Sequence, residues 1–313
     1  MRWWYGTSEV GRRLLDSLER TSALDGAVES LRRSVRRVIR PGAPADALHG
    51  VWLGHPLHPA LTDVPVGAWV GAAALDLLPG QRRAATAMVG LGLAATVPTV
   101  VTGASDWSEA GREQQRVGLV HAAANLAAVT LYSGSLVARV RGADRTGRVL
   151  GGLGLAMVGL ASYVGGHLSY RSAAGVNNAV PALRRLPEDW QPLGALAGLP
   201  ERQPLRRLIA GTVPVLVYRD GDEVRVLVEQ CEHMAGPLAG GEIVTRDGEA
   251  CVACPWHGSV FRLCDGRVEH GPATQPQPVL EVRVVDGQVS ARRASFVDGV
   301  PVTHPAVGSA RRS

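Results

Sequence analysis

Two short segments carry the residue types most able to do chemistry, Cys231-Glu232-His233 and Cys254-Pro255-Trp256-His257. Together they offer two thiolates and two imidazoles, in the order C-x-H then C-x-x-H. Such donors can hold a [2Fe–2S] cluster with both cysteines on one iron and both histidines on the other. Neutral imidazole ligation lifts the reduction potential well above that of an all-cysteine cluster. The implied chemistry is one-electron transfer. Zinc is the competing occupant, disfavoured because zinc sites more often use C-x-x-C pairs. Cys251-Val252-Ala253-Cys254 is itself such a pair; the iron–sulfur reading leaves Cys251 and Cys264 as spare thiols.

Around these ligands the chain resembles the Rieske ferredoxin family, in C-E-H-M-A-G-P-L from Cys231, C-P-W-H-G-S-V-F from Cys254 and H-G-P-A-T-Q-P from His270. The resemblance spans about 188 to 292. It implies Cys231, His233, Cys254 and His257 as the metal ligands and Gly271-Pro272 as the loop that shields the cluster. It implies no disulfide between the cluster loops, because no cysteine follows His233 until Cys251. Ser259 matches the hydroxyl that donates to a cluster sulfur in high-potential members, and Phe261 stands where they place a tyrosine. A potential in the lower to middle part of the family range follows. The gap from His233 to Cys254 is a few residues longer than the family pattern, and Asp247-Gly248 predicts a lengthened hairpin there.

The elements that position these ligands read as short β-runs, among them 214–219, 223–229 and 279–285, with Asp220-Gly221, Asp265-Gly266 and Asp286-Gly287 as hairpin signals. An all-β domain over 188–292 is expected, followed by a flexible tail over 293–313. A polar, Pro-containing linker over 172–187 precedes it.

Upstream the pattern changes. The chain of 313 residues is 46% hydrophobic and only 19% charged, and residues 84–105, 117–138 and 149–170 are each 22 residues without Asp, Glu, Lys or Arg. At about 1.5 Å per residue each could cross a hydrocarbon core of roughly 30 Å. A fourth apolar block, about 57–79, contains His58, Asp63 and Asp76. Residues 51–171 are therefore read as an all-α four-helix transmembrane bundle, with Gly and Ala supporting close helix packing. This half resembles a family of four-helix membrane proteins in G-H-P-L-H-P at 54–59, S-D-W at 105–107, V-H-A at 120–122 and G-G-H-L-S-Y at 165–170. That resemblance implies an architecture and no activity.

Four spans return the chain to its starting side, which puts His58, His121 and His167 at a shared depth near one surface. Ionisable groups inside a membrane are costly and are functional candidates by default. Paired imidazoles on facing helices suit a b-type haem, and a quinone site would use the same groups. His58, His121 and His167 are thus the cofactor-binding candidates, His121 foremost, with Asn125 one turn beyond it. A network of mutual hydrogen bonds without cofactor is the bland alternative.

Residues 1–50 form a basic, amphipathic segment, with Leu24, Val28, Leu31, Val35 and Val38 at helical spacing and Arg32, Arg33, Arg36, Arg37 and Arg40 beside them. It could lie on an anionic membrane surface or pack on the protein. All basic side chains are arginine, and the net charge of +5 needs no nucleic-acid partner. The expected partners are a lipid bilayer and redox donor and acceptor proteins. Three functions compete: a membrane electron-transfer protein with a haem or quinone site, an anchored ferredoxin for a separate oxygenase or reductase, and a redox sensor. A complete Rieske oxygenase is disfavoured, because it needs a mononuclear iron held by two histidines and a carboxylate, and only His270 and His304 follow the cluster ligands. A cell-membrane protein with a cytoplasmic Rieske domain is expected from the basic N-terminal segment and the spare thiols, although Arg82, Arg83, Arg139, Arg141, Arg145 and Arg148 load the opposite loops.

Overall fold

The computed structural model describes residues 2–293, 296–297 and 300–301. It divides into two compact units, 1–175 and 176–313.

The first unit is helical. Four helices form its bundle: α4 (Leu57–Asp76), α5 (Arg82–Glu109), α6 (Arg112–Val140) and α7 (Asp144–Gly166), the last running into a π-helical turn, His167–Arg171. Connections of a few residues make successive helices antiparallel neighbours. Gly80 and Gly142 take the left-handed backbone that two of these turns require. The helices of residues 82–109, 112–140 and 144–171 are long and apolar enough to cross a membrane. The fourth block, α4, is shorter and carries Pro59, His58 and Asp63 in its first two turns, so it falls short of that measure.

Packing in this bundle is inside out relative to a water-soluble core. Gly92, Gly147, Gly151, Gly154, Ala85, Ala128 and Ala161 are buried, whereas Val97, Val100, Leu126, Leu153 and Leu160 are exposed. Small residues let helices approach closely where lipid removes the hydrophobic drive between them.

The basic segment folds as α1 (Arg2–Glu19), α2 (Asp25–Val38) and α3 (Ala43–His49). It packs on the bundle through charge pairs. Arg116 reaches Asp25 at 2.7 Å and the Glu19 carbonyl at 2.6 Å, Arg112 reaches Glu29 at 3.1 Å, and Arg171 reaches Asp16 at 3.0 Å. Hydrogen bonding to Arg116 holds the Asp25 carboxyl below the usual range. Of the expected apolar stripe, Val28 is fully buried while Leu31 and Val38 stay exposed.

Among the described residues the second unit is all-β apart from one short α-helix and two 3-10 turns, Leu196–Gly198 and Leu238–Gly240. β2 (Leu205–Ile209), β3 (Val213–Asp220) and β4 (Glu223–Val228) form one antiparallel sheet; β1 (Gln191–Ala195), β10 (Gln288–Arg293) and β9 (Leu280–Val285) form a second. Val215, Val217, Val226, Val228, Leu280 and Val289 meet in the core. A further sheet follows the order β5 (Glu242–Arg246), β6 (Glu249–Ala253), β7 (Val260–Arg262), β8 (Val268–His270). Its β5–β6 turn has left-handed Asp247 and Gly248 between paired Arg246 and Glu249, which accounts for the lengthened hairpin.

One expectation is corrected. Residues 172–187 are not simply a polar linker: α8 (Val180–Arg185) lies within them, and Ala179, Ala182 and Leu186 are buried in the β core. Their apolar positions are too few to show a helical period in sequence. The tail expected over 293–313 lies outside the described residues, except where Phe296–Val297 pairs with Val300–Pro301.

Candidate metal centre

Two loops of matching construction carry the four donors. In the first, the Cys231 N–H donates to the Gly236 carbonyl and the Ala235 N–H to the Cys231 carbonyl, both at 2.8 Å. In the second, the Cys254 N–H donates to the Ser259 carbonyl at 2.7 Å and the Gly258 N–H to the Cys254 carbonyl at 3.0 Å. Ala235 and Gly258 are both left-handed, which folds each loop back on its own cysteine. The loops leave β4 and β6, so the two pairs of ligands are carried by different sheets.

The donors converge. The Cys231 and Cys254 thiols hydrogen-bond each other, and the His233 and His257 rings stand edge to face with centroids 5.0 Å apart. Both cysteines are buried. The contact with Cys231, joined by backbone N–H groups of Trp256 and His257, holds the Cys254 thiol down to about 6; the same contact and burial push the Cys231 thiol up. Gly236 faces this cradle, and a Cβ there would stand 2.9 Å from the Cys254 sulfur and 3.1 Å from the Trp256 ring. Two thiols and two imidazoles gathered from separate loops around a glycine-lined recess fit a [2Fe–2S] cluster of mixed ligation. Cys251 is buried on β6 with its thiol turned to the Glu249 carbonyl, and both it and Cys264 are free thiols.

A third loop, 271–279, braces the ligands and begins with the cis peptide Gly271–Pro272. Ser259, fully buried, accepts the Ala273 N–H at 3.0 Å, which leaves its hydroxyl proton to donate. Phe261 beside it is likewise fully buried. Sequence reasoning missed Gln277. Its side-chain amide donates to the Val228 and Gln230 carbonyls at 2.6 and 2.7 Å, and its oxygen accepts the Glu232 N–H at 2.9 Å. Gly266 permits the approach of this loop, since a Cβ there would stand 1.8 Å from the Gln277 carbonyl. Also missed were Asn178, which donates to the His233 carbonyl at 2.7 Å, and Glu232. Burial pushes the Glu232 carboxyl up to about 8 against N–H donors at Thr274 and Gln275. No pattern of polar residues marks Gln277 or Asn178 in sequence, because their partners are backbone groups of another loop.

In the helical unit the candidate histidines separate. His58 Nδ1 lies 2.9 Å from the Thr99 carbonyl and His121 Nδ1 2.9 Å from the Ala161 carbonyl. Asn125 Nδ2 stands 3.0 Å from His121 Nε2. His167 instead pairs with Glu19 of α1 at 2.9 Å, where Ser172 also donates at 2.6 Å. Partial burial raises the Glu19 carboxyl, but these two hydrogen bonds prevail and leave it below its ordinary value. Asp16, Glu19 and His167 come within 4.8 Å of one another, yet Arg171 already neutralises Asp16. The S-D-W segment is structural here: Asp106 lies 2.8 Å from buried His49, and the Trp107 indole donates to the Gln115 carbonyl at 2.9 Å.

Comparison with known proteins agrees with both halves. Residues 189–286 match the family model described as Rieske [2Fe-2S] domain, and residues 54–178 match Predicted membrane protein (DUF2231). The chain is 38% identical over 101 residues to the anthranilate 1,2-dioxygenase ferredoxin subunit of Burkholderia cepacia, covering 32% of this chain and 89% of that one. It is 38% identical over 79 residues to ferredoxin CarAc of Metapseudomonas resinovorans, covering 25% and 70%. Among solved structures it is similar to the complex of reduced oxygenase and oxidized ferredoxin in carbazole 1,9a-dioxygenase, with 30% identity, 35% and 98% coverage and a TM-score of 0.31. The chain belongs, through residues 189–286, to the Rieske [2Fe–2S] electron-transfer family, and ahead of that domain residues 54–178 match a predicted membrane protein domain.

Proposed function

We propose that the chain is a membrane-bound electron-transfer protein in which the Rieske centre exchanges electrons with a second redox group, a haem or a quinone, held by the bundle, and with a separate redox partner protein. The observation that carries this reading is the convergence of Cys231, His233, Cys254 and His257 in two matched loops. When bound, the cluster supplies a one-electron couple whose potential the imidazoles raise. The protein's own part is to hold the donors with Gln277 and Asn178, to leave room at Gly236, and to offer the Ser259 hydroxyl as a hydrogen-bond donor. Trp256, 57% exposed and in edge contact with His257, gives a partner an apolar surface beside a ligand.

A second reading, an anchored ferredoxin for a separate oxygenase or reductase, is favoured by the likeness to ferredoxin subunits of dioxygenases. One experiment separates the two. Full-length protein in lipid vesicles, oxidised and mixed with a lipid-soluble quinol, should reduce its cluster at least about ten-fold faster than His58→Ala or His121→Ala protein, as read by Rieske EPR. Equal rates would reject exchange through the bundle and leave the anchored ferredoxin. The basic N-terminal segment and the free thiols support a cytoplasmic Rieske domain; labelling a cysteine at Ala43 with a membrane-impermeant reagent checks that side.

A further inference from the structure

The bundle is built from one helical hairpin used twice. Asp76 of α4 and Arg139 of α6, 63 residues apart, form an ion pair with a hydrogen bond of 2.8 Å. The same offset relates Trp69 to Tyr132, whose rings stack at 4.2 Å and 8°, and His58 to His121. On α5 and α7 an offset of 62 relates Arg82 to Asp144, which pair at 2.6 Å, Gly92 to Gly154, Thr99 to Ala161 and Gly103 to Gly165. Internal contacts repeat as well. A Cβ on Gly92 would meet the Trp69 ring at 2.2 Å, and one on Gly154 the Tyr132 ring at 2.8 Å; Gly103 and Gly165 seat His58 and His121 in the same way, at 2.7 and 3.2 Å. Residues that touch their own equivalents lie on a two-fold axis, as in an isologous interface. The hairpins α4–α5 and α6–α7 are therefore related by a pseudo-two-fold axis. Trp69/Tyr132 and Asp76/Arg139 mark its course, and His58 and His121 are the equivalent pair toward its other end.

We propose that His58 and His121 form a bis-imidazole site for one b-type haem on this axis. The inference rests on the reading that the bundle holds a redox group and names that group. Each Nδ1 faces a backbone carbonyl, which only accepts, so each ring carries its proton on Nδ1 and offers the Nε2 lone pair. For His121 this tautomer is fixed twice, because the Asn125 amide donates to Nε2. Thr62 takes the place of Asn125 on α4, and its hydroxyl is turned to the Pro59 carbonyl instead. Rings anchored in this way cannot donate a hydrogen bond to an oxidised quinone carbonyl, since their single N–H is committed. A bare metal ion would need further ligands, and the three-donor group of the helical unit, Asp16, Glu19 and His167, includes neither His58 nor His121. A haem iron can be held by two imidazoles alone, because the macrocycle supplies its other four ligands. Ligation by His121 requires the Asn125 amide to leave Nε2.

The test uses full-length protein in detergent, purified free of haem absorbance and then titrated with haemin. One equivalent should bind and give the low-spin spectrum of bis-imidazole ligation. His58→Ala and His121→Ala should each weaken haemin binding at least about ten-fold. His167→Ala should not. Imidazole added to His58→Gly protein should restore the low-spin spectrum, which guards against a folding defect in the variants. Failure of folded, Rieske-positive protein to bind haemin overturns the proposal, and so does low-spin haem that survives both alanine variants. Neither result touches the electron-exchange reading, which stands or falls on quinol reduction of the cluster.

Discussion

Replacing Gln277 by leucine tests whether the third loop positions the cluster ligands. Gln277 is 1% exposed and satisfies three buried backbone groups, the Val228 and Gln230 carbonyls and the Glu232 N–H. Leucine nearly matches its volume and removes all three hydrogen bonds. Each group stranded in the interior costs about 1–3 kcal/mol. Burying leucine returns about 2 kcal/mol, and water entering beside the loop recovers part of the rest. The expected loss is about 3 kcal/mol, which for a domain of this size lowers the melting temperature by roughly 10 °C or more. The assay is thermal unfolding of the full-length protein followed through the visible circular dichroism of the cluster, with iron content measured in parallel. Gln275→Leu is the control, because its side chain makes one 3.4 Å contact to Asn177 and its loss should cost less than about 1 kcal/mol. A Gln277→Leu protein with full iron that melts within about 3 °C of the wild type would refute the assignment.

Cys231→Ser and His257→Ala should abolish the Rieske EPR signal and Cys251→Ser should keep it; loss of the signal in the Cys251 variant alone would sink the ligand assignment. Leu186→Ala, in the segment that packs α8 on the β core, should cost about 2–4 kcal/mol by chemical denaturation, whereas a true linker residue would cost almost nothing. Asp76→Asn and Arg139→Gln should each destabilise the bundle by about 3–5 kcal/mol, because one partner is left charged in a buried pair. The exchanged double variant, Asp76→Arg with Arg139→Asp, should recover at least half of that if the two positions are equivalent about an axis, measured as detergent-resistant melting. Glu19 titrates below its ordinary value in the folded protein, so its contribution is fully present above about pH 4.3 and is lost as pH falls through the depressed folded value. Proteolysis between α1 and α2 at low pH should accordingly rise in the wild type, and Glu19→Gln should already be cut readily at neutral pH.

Ligand identity needed no fold, because C-x-H and C-x-x-H are local and iron–sulfur chemistry dictates the donor types. The bundle was equally local: three uncharged runs of 22 residues set helix length by themselves. The lengthened hairpin at Asp247-Gly248 followed from turn stereochemistry, since both residues tolerate left-handed backbone. Interactions between distant segments were another matter. Gln277 holds a loop 45 residues away through backbone atoms, which have no sequence signature. His58, His121 and His167 look alike by depth, and only the packing of α1 removes His167 to Glu19 and leaves the other two on matching backbone carbonyls. The repeated hairpin is hidden for a related reason. Residues that meet on a two-fold axis are selected to complement each other, so Asp76 answers Arg139 and Trp69 answers Tyr132, and complementarity erases the likeness that would reveal the repeat in sequence. Spacing survives such divergence, but its meaning appears only once the contacts are known.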